Sequence, residues 1–241
     1  MLSSPISWVV GIPEQFDQIR QQLPTGVRLI AVSKQFPAQA IREAYEAGLR
    51  DFGENRIQEA QAKIPQLADL DGVTWHLIGS LQRNKVRPAL ECFDWIHSVD
   101  SLELAERISA LIPQVGRRPK LLLQVKLAED PTKSGWSEAE LEEALPALAG
   151  LSDLDIRGLM AIAPFGQSAE ETADLFKRVK QLALKIAHRA GLSGWERIRM
   201  EELSMGMSGD YPLAVQAGTT MVRLGQALFG SRPLQRRMTN E

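Results

Sequence analysis

Cysteine is almost missing from this sequence: Cys92 is the only one, so no disulfide can form within the chain. Histidine is scarce too, and His76, His97 and His188 lie far apart without the spacing of a metal-ligand set. Neither sign of charge dominates. Twenty-eight Lys and Arg stand against thirty Asp and Glu, a net charge of -2, and so small an imbalance gives no broad basic field to hold a nucleic acid or an anionic membrane. Runs of about 18 or more apolar residues, the length of a membrane-spanning helix, do not occur. The opening "MLSSPISWVVGIPEQF" lacks the basic start and apolar stretch of a secretion signal. A soluble, cytoplasmic, metal-free protein is the expectation. Tyrosine is limited to Tyr45 and Tyr211, which matters once acid and base groups are sought.

What the chain does have is alternation. Eight short apolar runs, "VRLIAVS", "LRDFGE", "VTWHLIGS", "FDWIHSVD", "KLLLQVKLA", "DIRGLMAIAP", "RIRMEELSMG" and "TMVRLGQALFG", are separated by segments with apolar residues at helical intervals. Strands divided by helices pair in parallel through right-handed crossovers. Eight such units within 241 residues predict an α/β fold, a single (β/α)8 TIM-type barrel, with an open doubly wound sheet as the competing arrangement. "PEQFDQIRQQL" reads as an extra helix before the first strand, with Pro13 in its first turn. One domain is expected over 1–241: an extension and helix over 1–24, the barrel over 25–232 and a basic tail over 233–241.

Barrel enzymes build their sites at the C-terminal ends of strands. "RLIAVSK" therefore places Lys34 at the mouth, after the apolar residues Leu29, Ile30, Ala31 and Val32. There a lysine can be desolvated enough to present a neutral amine, as Schiff-base formation requires; a solvated loop lysine is the alternative. Strand 8 brings Arg223 and Gly225 to the place where barrels often hold a phosphate. The loop after strand 7, "LSMGMSGDYP", adds the hydroxyls of Ser204 and Ser208 and the glycines Gly206 and Gly209. An amine opposite a phosphate cradle suits a phosphorylated aldehyde, and pyridoxal 5'-phosphate is a cofactor of that kind.

The motifs "AVSK", "FGENRIQEA", "WHLIGSLQRNK", "IHSVDS", "DPTKSGW", "GLMAIAP", "LSMGMSGD" and "TTMVRLGQALFG" follow one another in this order. They resemble those of the YggS/PROSC family of pyridoxal phosphate homeostasis proteins from about Val27 to Arg232. The resemblance implies a fold-type III barrel like that of the alanine racemases, with Lys34 as the Schiff-base lysine and Asn55 near the cofactor's ring. It implies a phosphate cradle from Ser204, Met205, Gly206, Met207 and Ser208. "VRLG" is similar to a racemase stretch, which implies Arg223 at the pyridine nitrogen and the amides of Gly225 and Gln226 on the phosphate. Where the family often has "QVN" this chain has "QVK", bringing Lys126 toward the mouth if strand parity allows.

The function implied is buffering and delivery of pyridoxal phosphate without turnover, by a monomer that meets apo forms of its client enzymes only transiently. A racemase or decarboxylase on the same cofactor is the alternative, and a class I aldolase a third. Racemisation needs acid or base groups on both faces of the substrate carbon; Lys34 supplies one, Tyr45 is expected away from the mouth, and Tyr211 has no evident activating partner. Of the remaining conspicuous residues, His76 is read as a hydrogen-bonded core histidine and Trp75, Trp95 and Phe229 as core aromatics. Arg83, Lys85 and Arg87 are read as a solvated face, and Lys133 as a loop lysine with a possible reach to an incoming carboxylate.

Overall fold

A computed structural model describes residues 11–128, 130 and 134–230 of the chain. Eight parallel strands close into a barrel in sequence order. They are β1 (Arg28–Val32), β2 (Asp51–Glu54), β3 (Thr74–Leu77), β4 (Trp95–Val99), β5 (Lys120–Gln124), β6 (Asp155–Met160), β7 (Ile198–Ser204) and β8 (Met221–Leu224). The seam closes where β1 pairs with β8, Ile30 opposite Arg223. Around the sheet run α1 (Ile12–Gln22), α2 (Ala38–Glu46), α3 (Ile57–Lys63), α4 (Val86–Cys92), α5 (Leu102–Val115), α6 (Glu138–Gly150), α7 (Ala169–Ser193), α8 (Tyr211–Gln216) and α9 (Gln226–Phe229). The closed barrel agrees with the sequence reading, and α1 is the extra helix expected before the first strand.

Strand alternation divides the core in two. Ile30, Trp95, Leu122, Met160 and Met221 pack together inside the barrel. Their neighbours in sequence, such as Leu29, Ala31, Leu121 and Val222, face outward into the layer shared with the helices. Both faces of the strands are covered, which is why the runs read as nearly continuous apolar sequence. Side chains such as Phe52, Phe93 and Phe176 are fully buried in that outer layer, each contributing about 1.5–3 kcal/mol. The helices begin on sequence signals: Ser137 with Glu140 and Ser168 with Glu171 form capping boxes at α6 and α7.

The two ends of the barrel differ in character. At the N-terminal ends of the strands the floor is closed around Trp95, which is 3% exposed. The Arg28 guanidinium sits 4.7 Å and the Lys120 ammonium 5.0 Å from its ring centroid, and Arg28 also pairs with Glu202. At the C-terminal ends the chain leaves each strand through loops that carry the polar residues singled out above. "QALF" does not continue β8: at Gly225 the backbone turns to φ -110°, ψ -73°, and the residues after it form α9. The basic C-terminal tail and Lys133 lie outside the described residues. Among the described residues no helix is long and apolar enough to cross a membrane.

Candidate functional site

Lys34 lies in the turn that follows β1, half-buried and in the inward parity of Ile30 and Val32. The next residue, Gln35, adopts φ 65°, a conformation unusual for a side chain bearing a Cβ. The turn is held from outside the barrel. Gln35 N–H donates to Glu59 Oε2 at 2.7 Å. Lys63 Nζ donates to the Ser33 carbonyl at 2.9 Å and to Glu54 Oε1 at 2.7 Å, and Ser33 Oγ donates to that same Glu54 oxygen at 2.7 Å. Burial raises the Glu54 carboxyl above its ordinary value, and Lys63 and Ser33 act against that rise. The cluster was not anticipated. Its signal in the sequence is a lysine on an apolar stripe, since Ile57, Ala60 and Lys63 are the buried residues of α3.

Asn55, directly after β2, carries a buried side-chain oxygen, Oδ1, without a hydrogen-bond partner, and Glu54 Oε2 is in the same condition. Unsatisfied buried acceptors are few in folded proteins, and these two adjoin the strand ends that present Lys34.

On the other side of β1, Arg223 points into the barrel from β8 and is 4% exposed. It donates to the Ser204 carbonyl and Oγ, both at 2.6 Å, and to the Ala161 carbonyl at 2.9 Å. Burial lowers its pKa to about 10, so it is still charged near neutrality. Ser204 is fully buried. Its hydroxyl lies between Arg223 and His97, whose Nδ1 is 2.9 Å away. The chain of contacts continues from His97 Nε2 to His76 Nδ1 at 3.0 Å, and from His76 Nε2 to Asp51 Oδ1 at 2.9 Å. Burial lowers both histidines, His97 well below its ordinary value. His76 is thus the hydrogen-bonded core histidine expected; His97, Ser204 and Asp51 as its companions were not foreseen.

Past Ser204 the chain forms a cradle. Met205 packs outward into the core, and its N–H is taken by Met221 O and Thr219 Oγ1. Gly206 has φ 91°, and a Cβ there would lie 2.7 Å from Ala214 Cβ and 2.9 Å from Tyr211 Cα; only glycine fits both the angle and the space. Met207 N–H donates to Asp210 Oδ1 at 2.6 Å. Ser208 Oγ accepts from Ala227 N–H at 3.3 Å, joining this loop to α9. Gly225 approaches β1 closely, for a Cβ on it would be 3.2 Å from Val32 O. The first turn of α9, at Gln226, therefore opens at the mouth beside the Lys34 turn, where amides lack intrahelical acceptors.

Lys34, Asn55, Ser204, Ser208, Arg223, Gly225 and Gln226 thus arise from β2, β1, β8 and β7, four neighbouring strands of the barrel. Lys126 follows β5 in the parity of Leu122 and Gln124 and lines a cleft with Ala161 and Ile162 on the opposite arc. Neither tyrosine joins the site as a base. Tyr45 Oη donates to the Asp71 carbonyl at 2.9 Å under the Arg50 guanidinium, and Tyr211 Oη donates to the Gln22 side chain. Trp75, Trp95 and Phe229 are core aromatics, as expected.

The family model described as "Alanine racemase, N-terminal domain" matches residues 12–233. A pyridoxal phosphate homeostasis protein of Synechocystis is 46% identical over 220 residues, covering 91% of this chain and 98% of its own length. That of Escherichia coli K12 is 42% identical over 212 residues, 87% of each. The structure of PipY from Synechococcus elongatus with PLP bound is similar at 53% identity and a TM-score of 0.85, over 91% of this chain and all of that one. Alanine racemase from Bartonella henselae, at 18% identity and a TM-score of 0.67 over 95% of this chain and 60% of that one, shares the fold. By sequence and by fold, the chain belongs to the family of pyridoxal phosphate homeostasis proteins.

Proposed function

We propose that this chain binds pyridoxal 5'-phosphate at the C-terminal mouth of the barrel and serves the cofactor's homeostasis by storing it and handing it over. The observation that carries the reading is the convergence of four neighbouring strand ends on an inward lysine, a buried guanidinium and a glycine and serine cradle. These residues fit the cofactor. The orphaned acceptor of Asn55 adjoins the Lys34 turn, and Gly206 and Gly225 let the backbone of the cradle pack where a Cβ would collide with Ala214, Tyr211 or Val32. Three of the five Arg223 donors are spent on Ser204 and Ala161.

When bound, pyridoxal phosphate supplies an aldehyde that condenses reversibly with a primary amine and a ring that can draw electrons from a substrate. Lys34 is the amine we assign to that aldehyde, and Asn55 an orienting group beside it. Ser208, Gly206, Gly225 and Gln226 hold the phosphate. Ser204 is assigned elsewhere than first expected: its hydroxyl is enclosed by Arg223 and His97, so it positions the guanidinium. Met205 and Met207 shape the loop through their backbone.

Arg223 favours storage over turnover. It donates hydrogen bonds yet does not usefully give up a proton, so it holds the ring nitrogen unprotonated, and an unprotonated ring is a poor electron sink. With Tyr45 and Tyr211 both bonded away from the mouth, the second base of a racemase is lacking among the described residues. The protein is proposed to act in the cytoplasm as a monomer, meeting apo forms of PLP enzymes transiently. The test loads the protein with the cofactor, incubates it with L-alanine and other amino acids while following chirality and carbon dioxide, and mixes it with an apo-transaminase. The expected result is no turnover and recovered transaminase activity. Turnover abolished by Lys34→Ala would establish the enzyme reading instead, and failure to reactivate any apoenzyme would remove delivery.

A further inference from the structure

The polar chain through the barrel interior has a direction that one residue sets. A carboxylate only accepts hydrogen bonds, so His76 must carry its proton on Nε2 to meet Asp51. Neutral imidazole has a single donor, which leaves His76 Nδ1 an acceptor. His97 must then donate from Nε2, and its Nδ1 must accept. The Ser204 hydroxyl hydrogen is committed to His97, and its oxygen is left to accept from Arg223. Every member has one consistent arrangement while the histidines stay neutral, and burial keeps both neutral. Asp51 is the first residue of β2, at the floor, and its side chain is 22% exposed. Ser204 and Arg223 lie at the other end of the strands.

We propose that Asp51, His76 and His97 are positioning residues: the carboxylate at the floor sets the direction of each hydrogen bond up to Ser204, and Ser204 thereby orients the Arg223 guanidinium at the mouth. The inference rests on Arg223 facing the cofactor's ring nitrogen. A chain with two opposed directions would free the Ser204 hydroxyl hydrogen to rotate and would put two donors, Arg223 NH1 and a His97 N–H, on the same oxygen. A neutral chain pinned at one end removes that freedom. The Ser204 and Ala161 carbonyls hold the guanidinium plane in either case, so the chain tunes its hydrogen bonding and is not needed to keep it in the barrel.

The test has two arms. Nitrogen-15 NMR of the histidine side chains in the ligand-free protein reads the tautomers directly. Wild type is expected to show Nε2–H at both His76 and His97, and Asp51→Leu, similar in shape but without an acceptor, to show an added Nδ1–H population at His97. Pyridoxal phosphate titration then reads the far end, where Asp51→Leu is expected to shift the absorption maximum and weaken Kd about three- to tenfold. In a Ser204→Ala background, where the chain is cut, the same Asp51 change is expected to leave Kd within twofold. An unchanged His97 tautomer, an unchanged spectrum and affinity, or an equal effect in the Ser204→Ala background would each overturn the proposal. Should Asp51→Leu not fold, Asp51→Ala removes the same acceptor with less bulk. If wild type bound no pyridoxal phosphate, the assignment of Arg223 would fall, while the NMR arm would still decide whether Asp51 directs the chain.

Discussion

Replacing Lys63 by methionine removes a charge from a place where its partner cannot reach water. Glu54 is fully buried and the Lys63 side chain is 10% exposed, so solvent screening offers little relief. Breaking such a pair on one side costs about 3–5 kcal/mol, mostly the penalty of the charge left behind. For a chain of this size about 2–4 °C of Tm follows each kcal/mol, so the expected fall is roughly 6–20 °C at pH 8. Acidity should soften the loss. Burial already raises the Glu54 carboxyl, and Lys63 is the chief group opposing that rise; without it the carboxyl climbs further. A raised carboxyl contributes stability that is full below its unfolded pKa and is lost as pH rises through the folded one. The gap between wild type and Lys63→Met should therefore be narrow at pH 5 and widen toward pH 8, as measured by thermal unfolding at each pH. The variant should also load pyridoxal phosphate poorly, because Lys63 holds the Ser33 carbonyl beside Lys34. A loss that is the same at both pH values, or below about 1 kcal/mol at pH 8, would refute the account of a buried charge left unpaired.

Lys34→Ala should abolish borohydride-stable attachment of pyridoxal phosphate while leaving Tm within about 2 °C, since a half-buried rim side chain opens no core cavity; mass spectrometry of the reduced protein checks it, and a single adduct at Lys126 would reassign the amine. Arg223→Met should leave the buried Ala161 carbonyl without its donor, while the Ser204 carbonyl keeps the Ala161 N–H, costing about 1–3 kcal/mol, and should shift the bound cofactor's absorption; thermal unfolding and a spectrum measure the two effects. Gly206→Ala should destabilise by about 2–4 kcal/mol, from a positive φ and from overpacking against Ala214 and Tyr211, and weaken phosphate affinity in a competition titration with inorganic phosphate.

Much of the barrel was legible because its rules are local. A strand covered on both faces reads as an apolar run whatever it touches, and a polar residue late in or just after such a strand, Arg223 or Lys34, points to a mouth. What escaped depends on partners distant in the chain. Ser204 meets His97 across 107 residues and Arg223 across 19, and no spacing rule joins them, so Ser204 was read as a phosphate ligand by its loop. Glu54 and Lys63 are nine residues apart, but their meeting depends on how α3 docks on β2. The parity of Lys126 was undecidable until Leu122 had been found inside the barrel. The end of β8 failed for a simpler reason, since "QALF" is apolar enough for a strand and only the backbone at Gly225 turns it into a helix.

Trp95, clasped between Arg28 and Lys120, makes this barrel a vessel with one opening. Whatever settles among the strand ends must enter over the rim and leave by it, and a recipient has to come to that same rim to collect. Matter and influence then travel by separate routes: the stopper of cations and indole turns molecules back at the base, while Asp51, set in that base, still reaches the mouth through two imidazoles and a hydroxyl.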